Sequence, residues 1–432
     1  MTLIMKSAPF AAETKIDGSE TEIWRIAILV LAIMPAFHMV ATWDADGNLT
    51  WYAHILRVFS LPVILLEIFL LIFSYVKGWR PWEQFKSIPK IIQIAAYIFL
   101  GVGFVSSIQS GNLLVLSLLN FFKSIMQILF LSAMTYIITN SPKFNLLKWH
   151  SFITLGACAY VALMVLFCLI IPNPDTFRWV ERIPSATNIR QIGNVIGILA
   201  IVPVVLLYTV RERIYWPFIV AANITLLAFL MWSGTRGGLV GYFIAIAMIS
   251  LFAWKLLNRR IITTMLLSWL ASVGIALAMP IPAEGFGLIR VQESMKAEDV
   301  TSGRLAVWNS TIEAIKEAPL IGHGSGTFRS NMARTKGYHY NHPHNFILQF
   351  IYDWGFLGGG IAAIFVMLFG LKLLLLPSAT IVPKATAIGA FSAITSVALI
   401  DGTLFYPLPM IIALALIAPA LAEKASRDNQ LT

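Results

Sequence analysis

Charge is what this chain has least of. Only 12% of its 432 residues are charged, about half of the ~25% a soluble domain carries, while 58% are hydrophobic. A water-soluble globular fold is excluded, and lipid is the solvent to reason in. Cysteine is nearly absent. Cys158 and Cys168 share one apolar run, and ten helical residues span roughly 15 Å, too far for a disulfide. The stretch before Glu22 lacks the apolar core and small-residue cleavage site of a signal peptide, so the N-terminus is expected to be retained. Repeats of fixed period and low-complexity tracts are also missing. What remains is one integral domain over residues 1–432, all-α and embedded in a membrane.

A crossing of the ~30 Å hydrocarbon core takes about 20 apolar residues. On that measure the apolar runs predict about twelve transmembrane helices, at 22–42, 53–76, 90–110, 113–138, 147–172, 189–210, 213–232, 236–254, 260–281, 344–372, 384–402 and 404–422. The turn signals Asp401–Gly402 and Tyr406–Pro407–Leu408–Pro409 leave little room between the last two.

The net charge of +10 is not gathered into a patch, which argues against nucleic acid as a partner. The basic residues fall in alternate loops: Lys6, Lys15 and Arg25; Lys77, Arg80, Lys86 and Lys90; Lys143 and Lys148; Arg211 and Arg213; Lys255, Arg259 and Arg260; Lys372 and Lys384; Lys424 and Arg427. The positive-inside rule places these loops and both termini in the cytoplasm. One connection on the other side stands out. Residues 282–343 form a large outer loop between the ninth and tenth helices, and loops of this length are usually functional. Within it Leu305, Trp308, Ile312 and Ile315 recur at helical spacing until Pro319. They predict an amphipathic helix capped by Thr301 or Ser302, lying on the membrane or over a cavity.

Ionisable residues inside membrane helices are costly and mark function by default. Arg57, Lys123, Arg190 and Arg236 qualify. Arg57, Arg190 and Arg236 fall near the outer leaflet, with Arg304 on the loop helix. Guanidinium groups binding bidentately suit a lipid-linked phosphate or diphosphate; the bland alternative is snorkelling to headgroups. Lys123 lies deeper and reads equally well as an interhelical polar contact. The turn Ser233–Gly234–Thr235–Arg236–Gly237–Gly238 offers small residues where an anion meets a helix N-terminus. Gly322–His323–Gly324–Ser325–Gly326 follows no strand, so a flexible hinge is expected there instead of a phosphate cradle.

The strongest constellation is His342–Pro343–His344–Asn345–Phe346, leading into the tenth helix. Pro343 and the following apolar run place His344 in the first helical turn, where the helix dipole and nearby arginines oppose protonation. A neutral imidazole is what a general base needs near pH 7. Asn345 is expected to orient the ring or a substrate hydroxyl. On a helix His342 and His344 would point apart, so they are a poor metal pair, and Asp44–Ala45–Asp46 reads as a polar turn more readily than as a metal site.

The pattern His344–Asn345, nine residues, Gly355, two residues, Gly358 resembles that of the O-antigen ligases. Gly303–Arg304–Leu305–Ala306–Val307–Trp308, with Pro319–Leu320–Ile321–Gly322, resembles the outer-loop segment of the wider ligase and polymerase superfamily. Ser233–Gly234–Thr235–Arg236–Gly237 resembles its Ser-Gly-x-Arg-Gly turn. The polymerase branch carries two Arg-x10-Gly loops; Arg182 to Gly193 fits one, and no arginine of the large loop supplies the second. The resemblance implies a GT-C-like glycosyltransferase of the bacterial inner membrane with its site facing the periplasm. It would move O-antigen polysaccharide from undecaprenyl diphosphate to lipid A–core oligosaccharide, with inversion and with no metal or cofactor. His344 would be the catalytic base; Arg190, Arg236, Arg304 and Arg57 would hold the diphosphate; Asn345, His342 and Lys123 would support them. The rivals are an O-antigen or capsule polymerase, a protein O-oligosaccharyltransferase and, outside enzymes, a secondary transporter or flippase. Ionisable residues crowding the outer rim, with no half-to-half symmetry, weigh against a transporter.

Overall fold

A computed structural model describes residues 23–43, 56–57, 59–171, 177, 179, 183–186, 188–280, 287, 303–336, 340–376 and 381–428. Asp44, Asp46, Arg182, Thr301 and Ser302 lie outside them, so the expectations attached to those residues have no structural counterpart here. Every regular element among the described residues is helical. The helices are α1 (Ile23–Ala41), α2 (Leu61–Val76), α3 (Pro81–Ser87), α4 (Lys90–Gln109), α5 (Leu114–Thr139), α6 (Leu146–Ile170), α7 (Ile189–Leu199), α8 (Ile201–Thr209), α9 (Trp216–Trp232), α10 (Arg236–Phe252), α11 (Arg259–Ala278), α12 (Arg304–Glu317), α13 (Phe328–Lys336), α14 (Phe346–Leu374), α15 (Ile381–Ala398) and α16 (Pro407–Asp428).

This is a multi-pass membrane protein. Among the described residues nine helical stretches are long and apolar enough to cross a bilayer, or ten if α2 and α3, bent by 78° at their junction, count as one. The sequence pattern predicts about twelve. The shortfall has identifiable causes. The second expected span yields the 16-residue α2, which starts only after a left-handed Ser60 and has Pro62 in its first turn. The eighth yields the 17-residue α10, and the twelfth the short apolar segment Pro407–Ala422, delayed by a 3-10 turn at Thr403–Phe405.

Small residues set the closest helix crossings. A Cβ at Gly197 would lie 2.8 Å from the Gly238 carbonyl, and one at Gly238 would lie 2.7 Å from the Gly193 carbonyl. α7 and α10 therefore touch backbone to backbone, as small residues permit in membrane bundles. Gly241 does the same for α10 and α15, where a Cβ would lie 3.0 Å from the Ala393 carbonyl. These crossings bring the N-terminal ends of α7 and α10 and the C-terminal end of α15 together.

Two helices, α12 and α13, come from the large loop. α12 begins and ends close to the predicted helix, but its cap is Gly303, in a left-handed conformation at φ 79°. Its buried face also differs from the expected one. Val307, Thr311, Ala314 and Ile315 are buried, while Leu305 and Ile312 are exposed. The reason is the neighbour: Val307, Ala314 and Ile315 join Phe328, Met332 and Tyr352 in a small core built on the first half of α14.

That first half ends at a break. Gly355 has φ 63° and ψ −174° inside α14, which interrupts the helical ladder, and the freed groups take partners from the glycine-rich turn. The N–H groups of His323 and Gly324 donate to the carbonyls of Tyr352 and Asp353, each at 2.9 Å, and Phe356 N–H donates to the Pro319 carbonyl at 2.8 Å. Gly322–Gly326 is thus a docked turn, not the flexible hinge expected of its composition.

Candidate active site

The segment 340–345 is not helical. α14 starts at Phe346, and its cap is Asn345, whose Oδ1 accepts from Ile347 N–H at 3.0 Å and Leu348 N–H at 3.1 Å. Asn345 Nδ2 donates to the Leu399 carbonyl at 3.3 Å. Its role is to cap α14, an orphan-satisfying job, in place of the expected orientation of the histidine. His344 therefore precedes the helix rather than sitting in its first turn, and its φ of 57° is uncommon for a residue with a side chain.

His344 faces a partner from a different part of the chain. Asp401 Oδ1 is 3.2 Å from His344 Nδ1. Asp401 also accepts from Gly402 N–H at 2.7 Å and, through Oδ2, from Asn194 Nδ2 at 2.8 Å. Burial pushes this carboxyl up, but the hydrogen bond from His344, the nearby His342 and the Gly402 N–H outweigh it and hold it below the usual carboxylate range. An ionised carboxylate only accepts, so His344 presents an Nδ1–H to Asp401, and in the neutral ring Nε2 is then the acceptor. That is the tautomer of a general base oriented by an acid.

His342 is in a different state. Its Nδ1 accepts from the backbone N–H of His344 at 3.2 Å, and its Nε2 lies 3.1 Å from the Tyr406 hydroxyl. Burial lowers its pKa to about 3, reinforced by His344 and Arg304 and opposed by Asp401. Neutral and with Nδ1 occupied as an acceptor, His342 holds its proton on Nε2 and donates it to Tyr406. Both of its nitrogens are engaged, which disqualifies it as the base. The two rings, expected to diverge, lie 4.3 Å apart at 65°, because the segment that carries them is not a helix.

Two of the predicted arginines interact with this dyad's carboxylate. Arg190, at the start of α7, interacts electrostatically with Asp401, Arg236 and Arg304. Arg304, opening α12, does so with Asp401, Arg236 and Tyr340. Burial lowers the Arg304 pKa and Arg236 adds to that, while Asp401 counteracts both. Arg190 and Arg304 thus both interact with the one carboxylate, and Arg236 interacts with both of them, so α7, α10 and α12 bring three positive charges into one neighbourhood. His342, His344 and Asp401 offer three ligand atoms within 4.8 Å of one another, but a cation among them would face those three arginines.

Two predicted residues have other partners. Arg57 is buried, donates to the Ile183 carbonyl at 3.2 Å, and lines a cavity with Tyr160, Gln191, Asn194 and Tyr406. Lys123 donates to Asn120 Oδ1 at 2.9 Å and interacts with Asp353 and Glu67, within the bundle beside the α14 break. Sequence reasoning missed Asp401, Asn194 and Tyr406 at the site, and the buried Glu67 and Asp353 elsewhere. For Asp401 a signal existed: alternating sidedness puts the end of span 384–402 on the same face as His344.

Fold and site together define a multi-pass membrane protein with a His–Asp dyad set among cationic side chains. Residues 221–363 match the Wzy_C family model, described as O-Antigen ligase, so the chain carries an O-antigen ligase family domain. The matched range holds Arg236, Arg304, His344 and both motif glycines, Gly355 and Gly358. Arg190, Asn194, Asp401 and Tyr406 lie beyond it. A curated relative from Haemophilus influenzae, described as an uncharacterized protein, is 28% identical over 118 residues, 24% of this chain. The chain spans 29% of that relative's length.

Proposed function

We propose that the protein is an inverting, metal-independent glycosyltransferase of the bacterial inner membrane. It transfers O-antigen polysaccharide from undecaprenyl diphosphate to lipid A–core oligosaccharide on the periplasmic side. One observation carries the reading: the carboxylate of the His344–Asp401 dyad interacts with Arg190 and Arg304, and Arg236 with both of these, so a base and a cluster of diphosphate-binding arginines adjoin.

The reaction follows from those parts. His344 Nε2 takes the proton of an acceptor hydroxyl, and the oxygen attacks the anomeric carbon. The bond from that carbon to the diphosphate oxygen breaks, and the electron pair leaves with the lipid diphosphate. The arginines stabilise the charge that develops there, an electrostatic term of the kind that dominates many enzymes. Asp401 holds the imidazole in its tautomer and stabilises the imidazolium formed.

Transfer to lipid A–core is favoured over polymerisation by the His-Asn-x9-Gly-x2-Gly pattern and by the absence of a second Arg-x10-Gly loop in the sequence. The test is reconstitution. Purified protein is supplied with lipid-linked polysaccharide and either lipid A–core or a second lipid-linked glycan, with and without chelator. Glycosylated lipid A–core, unaffected by chelator and lost in His344→Gln, is expected. Lengthened lipid-linked glycan with no product on lipid A–core would move the assignment to a polymerase.

A further inference from the structure

We propose that His342 is the positioning residue of the base, holding His344 in place through its Nδ1 atom while Tyr406 and Gly402 hold His342. The inference rests on the reading of His344 as base.

His344 adopts φ 57°, a left-handed conformation that a residue with a side chain keeps only when its surroundings impose it. Two contacts impose it. His344 N–H donates to His342 Nδ1 at 3.2 Å, and the carbonyl of the intervening Pro343 accepts from Trp308 Nε1 at 2.8 Å. The segment is thus gripped on both sides of the peptide that carries the base.

His342 is in turn held closely. It is buried, with 8% exposure, and its Nε2 meets the Tyr406 hydroxyl at 3.1 Å. Residue 402 leaves room for the ring only because it is glycine: a Cβ there would lie 2.2 Å from His342 Nε2. Gly402 also donates its N–H to Asp401. One short turn therefore fixes both the acid that orients the His344 ring and the ring that orients the His344 backbone. A proton on His342 Nδ1 would abolish its acceptor function, so the arrangement requires His342 neutral, which its burial and the nearby Arg304 favour.

The test separates the two nitrogens. In His342→Asn the amide Oδ1 takes the place of Nδ1, one bond from Cγ, and can still accept from His344 N–H. In His342→Gln the acceptor moves towards Nε2. The measurements are kcat and the donor KM in reconstituted transfer, with thermal midpoints alongside. Expected are a kcat at least tenfold lower for His342→Gln, a kcat within a few-fold of the parent for His342→Asn, and an unchanged donor KM in both. Equal losses in the two variants, or a His342→Gln enzyme with parental kcat, would overturn the proposal. If neither variant folds, Tyr406→Phe decides: a several-fold lower kcat at constant KM supports positioning, and a parental kcat refutes it. His344→Gln is run in parallel, and activity there would remove the base itself, a failure distinct from that of His342.

Discussion

Asp401 Oδ1 stands 3.2 Å from Nδ1 of His344, on the side of the ring away from the nitrogen that must take a proton. The acid is thus an orienting group rather than a second base. In Asp401→Asn the amide can donate to Nδ1 and drive the imidazole proton onto Nε2, where it blocks the acceptor hydroxyl. By analogy with acid-to-amide changes in serine-protease triads, kcat is expected to fall by roughly 10²–10⁴-fold. Asp401→Glu is expected to keep more activity than Asp401→Asn. Single-turnover transfer at saturating donor checks this, and a parental rate for Asp401→Asn would remove the dyad from the mechanism.

Arg236→Lys and Arg304→Lys test the diphosphate site. Both keep the charge and lose the planar fork that binds two oxygens at once. A hydrogen bond to a charged group is worth roughly 1.5–3 kcal/mol, so kcat/KM is expected to fall by on the order of tenfold or more in each. Steady-state kinetics with varied lipid-linked donor provide the measurement. Lysine variants with parental kcat/KM would reduce these residues to point charges or to headgroup contacts.

How much of this was legible beforehand depends on which property carried the information. The shared face of Arg190, Arg236 and Arg304 was readable because short-loop charges encode sidedness along the whole chain. The dyad was not, because Asp401 and Gly402 also have the composition of an ordinary turn and 57 positions separate Asp401 from His344. Pro343 suggested a helix start, yet Asn345 takes the cap and moves the start beyond His344. The buried face of α12 depends on the surface of α14 opposite, which periodicity within α12 does not contain. Glu67 and Asp353 are single acids diluted in apolar runs, and only packing shows that they share surroundings with Lys123.

The motif glycines make a structural prediction. At Gly355 φ is 63°, and a Cβ would lie 2.2 Å from the Leu320 carbonyl, a backbone group that cannot rotate away. Gly355→Ala is therefore expected to destabilise the protein by more than the roughly 1–3 kcal/mol of a strained backbone conformation alone. Gly360 lies five residues on, and a Cβ there meets nothing within 4 Å. Gly360→Ala is expected to match or exceed the parent, since alanine is the better helix former by about 1 kcal/mol. Thermal midpoints in detergent compare the two. Equal midpoints would mean that the turn at Leu320 does not need the α14 break.

Neutral His342 predicts how acid destabilises the protein. Its pKa is about 3 in the folded chain against 6.5 for the free side chain. Between these values the unfolded chain binds a proton that the folded chain refuses, so stability rises with pH across that window. The contribution is fully present above pH 6.5 and is lost progressively as pH falls towards 3. Asp401 acts in the same sense but lower, because its depressed carboxyl contributes above the ordinary carboxylate range and loses that contribution below it. The window from pH 6.5 to 4.5 thus isolates the histidine from the acid. Other titrating groups cancel when the parent is compared with His342→Asn at one scan rate. The parent's thermal midpoint is expected to fall more steeply across this window than the variant's, and parallel slopes would show that His342 is protonated in the folded state.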